Sequence, residues 1–158
     1  MHLMKKSIEI KAPVERVYDF FTTPSNLPGI WPSMVEVTNV ERRPDGYNSF
    51  DWVYKMVGVR FKGHAEPGKV VQNKYVEMKN ESGIPSTFRW TYEGRGASTL
   101  LTVEVEYAIP TPVFGTVAEA IVSKVNEREL ETMLANGKTV LEHAVPRQVQ
   151  AGPAQATR

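Results

Sequence analysis

Three stretches of this chain alternate in the same way. Trp52, Tyr54 and Met56 are interleaved with Asp51, Val53 and Lys55; Phe88, Trp90 and Tyr92 with Thr87, Arg89 and Thr91; and Leu101, Val103, Val105 and Tyr107 with Thr102, Glu104 and Glu106. Successive side chains on a strand point to opposite faces, so each stretch predicts a strand with one apolar, ring-rich face and one wet face. A solid core is normally filled with Val, Ile and Leu. Trp and Tyr sharing one interior bring indole N–H and hydroxyl groups that need partners when buried. The pattern is therefore that of a pocket walled by rings or of a core packed solidly with them.

The punctuation between these stretches is that of an antiparallel meander. Pro44-Asp45-Gly46, Gly58, Gln72-Asn73, Ser82-Gly83 and Glu93-Gly94-Arg95-Gly96 carry turn residues, and they divide this part of the chain into strands at about 34–43, 47–57, 59–71, 74–81, 85–93 and 97–109. Glu66-Pro67-Gly68 inside the third of these predicts a bulge or an edge position. Ser7-Ile8-Glu9-Ile10-Lys11 alternates as a first strand with Ile8 and Ile10 inward. After it the period changes: Pro13 suits the first helical position, and Val14, Val17, Tyr18 and Phe21 share one helix face. Pro24, Pro28 and Pro32 leave room for only a turn or two of helix in the segment that follows.

Pro110 and Pro112 stop the last strand, and residues 113–145 read as one long helix. Phe114, Val117, Ile121 and Val125 form one apolar stripe on it, and Leu130, Leu134 and Leu141 form another about half a turn round. Asn136-Gly137 predicts a bend. The expected architecture is α+β: a curved seven-stranded antiparallel sheet, two short helices between strands 1 and 2, and a long C-terminal helix against the concave face. Residues 1–145 are expected to form one domain, and 146–158, which lack periodicity, a disordered tail.

Composition excludes several functions. A net charge of +1 over 158 residues supplies no field to attract nucleic acid or an anionic membrane, and no apolar run is long enough for stable membrane insertion. The absence of cysteine removes disulfides, thiolate nucleophiles and Cys-based zinc sites together. The N-terminal segment has no apolar stretch after its charges, so a cytoplasmic location is expected.

Several of these words occur together in a known family. Ile10-Lys11-Ala12-Pro13-Val14-Glu15-Arg16-Val17-Tyr18-Asp19-Phe20, Phe50-Asp51-Trp52-Val53-Tyr54-Lys55-Met56-Val57-Gly58, Ser82-Gly83-Ile84-Pro85-Ser86-Thr87 and Leu134-Ala135-Asn136-Gly137-Lys138 resemble the START-like superfamily, also called SRPBCC or helix-grip. The likeness spans about residues 4–143 and is nearest to the branch described as polyketide cyclase/dehydrase and lipid transport. It implies the helix-grip fold and a cavity between sheet and long helix that takes up hydrophobic or polycyclic molecules. Gly137 departs from the family pattern, which usually carries Leu there, and puts the packing of the last helical turns in question.

The expected function is therefore binding of a small hydrophobic or aromatic ligand, lipid, quinone or polyketide-like, in a cavity of roughly a few hundred Å³. Its candidate contacts are Trp52, Tyr54, Met56, Phe61, Met78, Phe88, Trp90, Tyr92, Val105, Tyr107, Phe114, Ile121 and Val125. The alternative is a polyketide cyclase or dehydratase using the same cavity, in which confinement of a reactive chain supplies much of the catalysis. The residues assign no catalytic group, metal or cofactor, and no oligomeric state. His64, Asp51, Lys55, Glu104, Glu106 and Arg128 read as solvated, and Asn80-Glu81-Ser82 as a formal glycosylation site without consequence. A protein-interaction role would need an apolar outer sheet face, which instead carries Lys, Glu, Arg and Thr.

Overall fold

A computed structural model describes residues 1–44, 46–115 and 118–143. Strands β1 (His2–Ile10), β2 (Met34–Arg42), β3 (Asn48–Met56), β4 (Val59–Val71), β5 (Tyr75–Asn80), β6 (Ser86–Arg95) and β7 (Ser98–Tyr107) form one sheet in the order β1-β7-β6-β5-β4-β3-β2. Every neighbouring pair is antiparallel, as expected of the consecutive strands β2 to β7 joined by short turns; β1 pairs with β7 from the far end of the chain. Helices α1 (Val14–Phe21) and α2 (Leu27–Ile30) lie between β1 and β2, and α3 (Thr111–Phe114) and α4 (Glu119–His143) follow β7. This is the α+β arrangement that the alternating strands and flanking helical periods predict, in the helix-grip layout that the family resemblance implies.

Register brings the three alternating stretches onto one face. Tyr92 pairs with Leu101, Trp90 with Val103 and Phe88 with Val105, while Val76 and Met78 of β5 pair with Trp90 and Phe88. The turns that set this register are short. Val57-Gly58 closes β3 on β4 as a two-residue turn with φ of +46° and +84°, both in the left-handed region. The bulge foreseen at Pro67-Gly68 is present as a register shift between Pro67 and Val70. The β6–β7 reversal is tighter than the Glu93-Gly94-Arg95-Gly96 turn expected: β6 continues to Arg95, which pairs with Ser98 across Gly96-Ala97.

The C-terminal helix differs from its sequence reading. The helical segment beginning at Thr111 ends at Phe114, Gly115 takes φ +78°, and the long helix begins only at Glu119. That interruption breaks the continuous stripe. The buried residues of α4 are Val122, Asn126, Leu130, Met133, Leu134, Gly137 and Leu141, one side of a single helix. Ile121, expected inward, is 65% exposed. Val125 is half-buried beside the stripe, and Val117 lies outside the described residues, as does the tail.

Gly137 has a packing reason. A Cβ there would lie 2.4 Å from Phe21 Cζ, so the missing side chain lets α1 approach α4 with its ring against the helix backbone. Hydrogen bonds fasten the same half of α4 to its surroundings. Asn136 Nδ2 donates to the Ile30 carbonyl at 2.9 Å, Arg16 to the Leu141 carbonyl at 3.1 Å and Lys138 Nζ to the Glu9 carbonyl at 2.7 Å. The Lys11 amide donates to Glu142 Oε2 at 2.7 Å, and the Ser33 amide to Glu129 Oε1 at 2.9 Å.

Candidate functional site

Between the ring-bearing face of the sheet and α4 lies a cavity of about 120 Å³. Of the residues singled out from the sequence, Trp52, Tyr54, Met56, Met78, Phe88, Trp90, Tyr92, Val105 and Tyr107 line it. Phe61, Phe114, Ile121 and Val125 do not. Phe61 and Phe114 instead face each other, ring centroids 6.1 Å apart and half-buried. Ile121 points to solvent and Val125 sits off the lining side, because the break at Gly115 sets a different helical phase from the one assumed.

The cavity is smaller than the few hundred Å³ expected, and the reason is ring packing. Trp31 meets Tyr54 at 5.5 Å and Phe88 at 5.8 Å edge to face, Phe88 stacks on Trp90 at 6.3 Å, and Phe21 tilts against Trp90 at 5.7 Å. Such offset contacts fill space that aliphatic side chains would leave open. Trp31 and Phe21 come from the helical segments before β2, so strand alternation gave no sign of them. Neither did it reveal Leu130, the α4 residue that lines the cavity with Asn126.

Polar groups in the wall divide into met and unmet. Trp52 Nε1 donates to Asn80 Oδ1 at 2.8 Å, both buried, so the residue read as a formal glycosylation site is a wall residue that holds an indole. Close approach makes this geometry possible: the indole lies over Gly63, directly across the β3–β4 pair. The Tyr92 and Tyr107 hydroxyls, by contrast, are buried without a hydrogen-bond partner, and so are both amide atoms of Asn126. Burial raises the pKa of Tyr92 well above that of a free phenol. Burial raises that of Tyr54 too, with the Glu129 charge adding to it. These phenols stay neutral at ordinary pH and act as hydrogen-bonding groups rather than bases. Among the described residues, no Asp, Glu, Lys, Arg or His lines the cavity.

The ionisable groups gather on the opposite face of the sheet. His64 Nδ1 and Nε2 stand 2.6 Å from Asp51 Oδ1 and Glu66 Oε2, and Arg43 pairs with Glu66. Asn39 donates to Asp51 at 2.7 Å. The hydrogen bond to Asp51, then that to Glu66, raises the His64 pKa. Asn39 followed by His64 lowers that of Asp51, and Arg43 followed by His64 lowers that of Glu66. The outward orientation expected for His64 is therefore what the fold produces, and Arg128 is likewise exposed. Among the described residues no group of three His, Cys, Asp or Glu is placed to hold a metal, and no helix is long and apolar enough to cross a membrane.

The sequence pattern of the family described as polyketide cyclase/dehydrase and lipid transport matches residues 1–142. The chain belongs to this family. Solved structures similar to it agree on the fold. The Thermus thermophilus protein TTHA0849 superposes with a TM-score of 0.73 at 21% identity, covering 92% of this chain and 100% of its own. An aromatase/cyclase from Streptomyces sp. R1128 superposes with a TM-score of 0.72 at 13% identity over 97% of this chain and 98% of that one. A START superfamily protein of Mycobacterium smegmatis gives a TM-score of 0.62 at 18% identity over 85% of this chain and 99% of that one. No curated protein matches the chain in sequence.

Proposed function

We propose that this family member binds a small, flat, ring-containing hydrophobic molecule in the cavity between sheet and α4. One observation carries the reading: a half-open cavity walled by aromatic rings and lined by no charged side chain among the described residues. Burying flat apolar surface against Trp52, Trp90 and Phe88 supplies affinity, and neutral hydroxyls and amides supply orientation. At about 120 Å³ the void is near the ~150 Å³ of an engineered apolar cavity that accepts benzene, which sets the ligand at one ring or a small fused system. Larger lipids and long polyketide chains exceed this volume.

A second reading has support in the aromatase/cyclase relative and in the unmet Tyr92 and Tyr107 hydroxyls. In it the neutral phenols hold a carbonyl of a short reactive chain while confinement brings its carbons together.

Thermal unfolding with a panel of one- and two-ring compounds separates ligand binding from an inert void. A ligand at one hundred times its Kd stabilises by about 2.7 kcal/mol, roughly 5–10 °C for a chain of this size. The reading is abandoned if no ring compound at millimolar concentration moves the midpoint by as much as about 1 °C, the shift expected near an occupancy of one third.

A further inference from the structure

Asn126 sits one helical turn from Val122 and one from Leu130 on the buried side of α4, and it lines the cavity. It is 4% exposed, and neither Oδ1 nor Nδ2 has a hydrogen-bond partner. A primary amide at that position is an anomaly in the empty protein. It places a donor and an acceptor side by side in an apolar wall where a Leu of similar size would pack without loss. Asparagines elsewhere show the contrast: Asn80 accepts from Trp52, Asn136 donates to the Ile30 carbonyl and Asn39 to Asp51. Asn126 faces the cavity with both groups open, together with the unpartnered hydroxyls of Tyr92 and Tyr107.

We propose that Asn126 is the recognition point of the cavity, and that its ligand is a neutral aromatic molecule whose edge carries a hydrogen-bond donor beside an acceptor, of the aryl amide or cyclic amide kind. The assignment rests on the cavity reading above and gives it a chemical class. The complement of an amide edge is another amide edge, since Oδ1 accepts the ligand's N–H while Nδ2 donates to its carbonyl. An anionic ligand is disfavoured, because a carboxylate would be buried with no counter-charge in the described wall. A purely hydrocarbon ligand would leave the amide as unmet as before.

Three probes of similar shape test this on the full chain: benzamide, with donor and acceptor; methyl benzoate, with acceptors only; and toluene, with neither. Affinities for the wild type and Asn126→Leu are measured by NMR titration. Benzamide is expected to bind the wild type about tenfold tighter than either other probe, and the preference is expected to vanish in Asn126→Leu while toluene binding persists. Without ligand, Asn126→Leu is expected to unfold roughly 5 °C higher than the wild type, since it removes an unmet polar group. Equal affinities for benzamide and toluene in the wild type overturn the assignment of Asn126 and leave the cavity reading standing. So does a benzamide preference that survives in Asn126→Leu, or an Asn126→Leu midpoint at or below that of the wild type. Failure of all three probes to bind the wild type overturns both. The wild-type comparison holds however the variant folds.

Discussion

Replacing Gly63 by Ala tests how the ring-lined wall is built. A Cβ at position 63 would lie 2.1 Å from Trp52 Cζ2 and 2.6 Å from both Cε2 and Cη2, well inside any tolerated contact. The indole is not free to swing away. Its Nε1 is bonded to Asn80, and its Cη2 already stands 3.0 Å from where a Gly83 Cβ would be. Overpacking of this kind costs about 1–3 kcal/mol. Turning the indole also breaks the bond to Asn80 and strands a buried acceptor, a further cost of about 1–3 kcal/mol. Ala in a strand recovers roughly 0.5–1 kcal/mol of backbone entropy relative to Gly. The balance is a loss of about 3 kcal/mol, or roughly 6–12 °C in the unfolding midpoint for a chain of this length. Urea and thermal denaturation followed by tryptophan fluorescence and circular dichroism measure it. In a Trp52→Phe background, where the outer ring of the indole is gone, Gly63→Ala should cost clearly less, which is the signature of a direct contact. A Gly63→Ala protein within about 1 kcal/mol of the wild type, or an equal cost in both backgrounds, would refute the reasoning.

Two further outcomes concern the turn and the outer face. Val57 holds φ +46° at the first position of a two-residue hairpin, where a β-branched side chain is strained and Asn is at home; Val57→Asn should stabilise by about 1 kcal/mol in urea unfolding, and a destabilised variant would contradict the turn assignment. His64 has its pKa raised in the folded state, so its pairing stabilises fully below the unfolded value near 6.5 and is lost as pH rises through the folded value. Asp51 and Glu66 have theirs lowered, so their contribution is present above the usual carboxylate range and is lost as pH falls. The stability difference between wild type and His64→Gln should therefore be larger at pH 6 than at pH 9 and should shrink in high salt, because the imidazole is 41% exposed. A difference independent of pH would show that the cluster does not act through charge.

How much of this was legible beforehand depends on the range over which each cause acts. Strand alternation is local, and it placed Trp52, Tyr54, Phe88, Trp90, Tyr92 and Tyr107 on one side without any knowledge of their neighbours. The outward face followed from the same parity, including that of His64. The phase of a helix is local too, but only once its start is known. Taking residues 113–145 as one unbroken helix set the inward stripe on Ile121 and Val125, whereas the break at Gly115 restarts it at Glu119 and turns Val122, Asn126 and Leu130 inward. The spacing of those three is visible in the chain, where an Asn stands between two apolar residues about a helical turn away on either side. Trp31 had no such signal, and the apolar helix face that carries Phe21 did not say what it would meet; both reach the cavity from segments whose position is set by packing on the sheet and on α4.

The chain by itself determined the succession of its strands and the chemistry of their faces, because side-chain direction and turn preference are decided within a few residues. Its membership in a helix-grip family was written in the same local words. Only the tertiary structure decided the size of the void, the role of Asn80 as the partner of an indole, and the isolation of the Asn126 amide. Those depend on which atoms from distant segments arrive at one place and which hydrogen bonds they leave unmade, and no periodicity along the chain encodes a distance between residues that far apart.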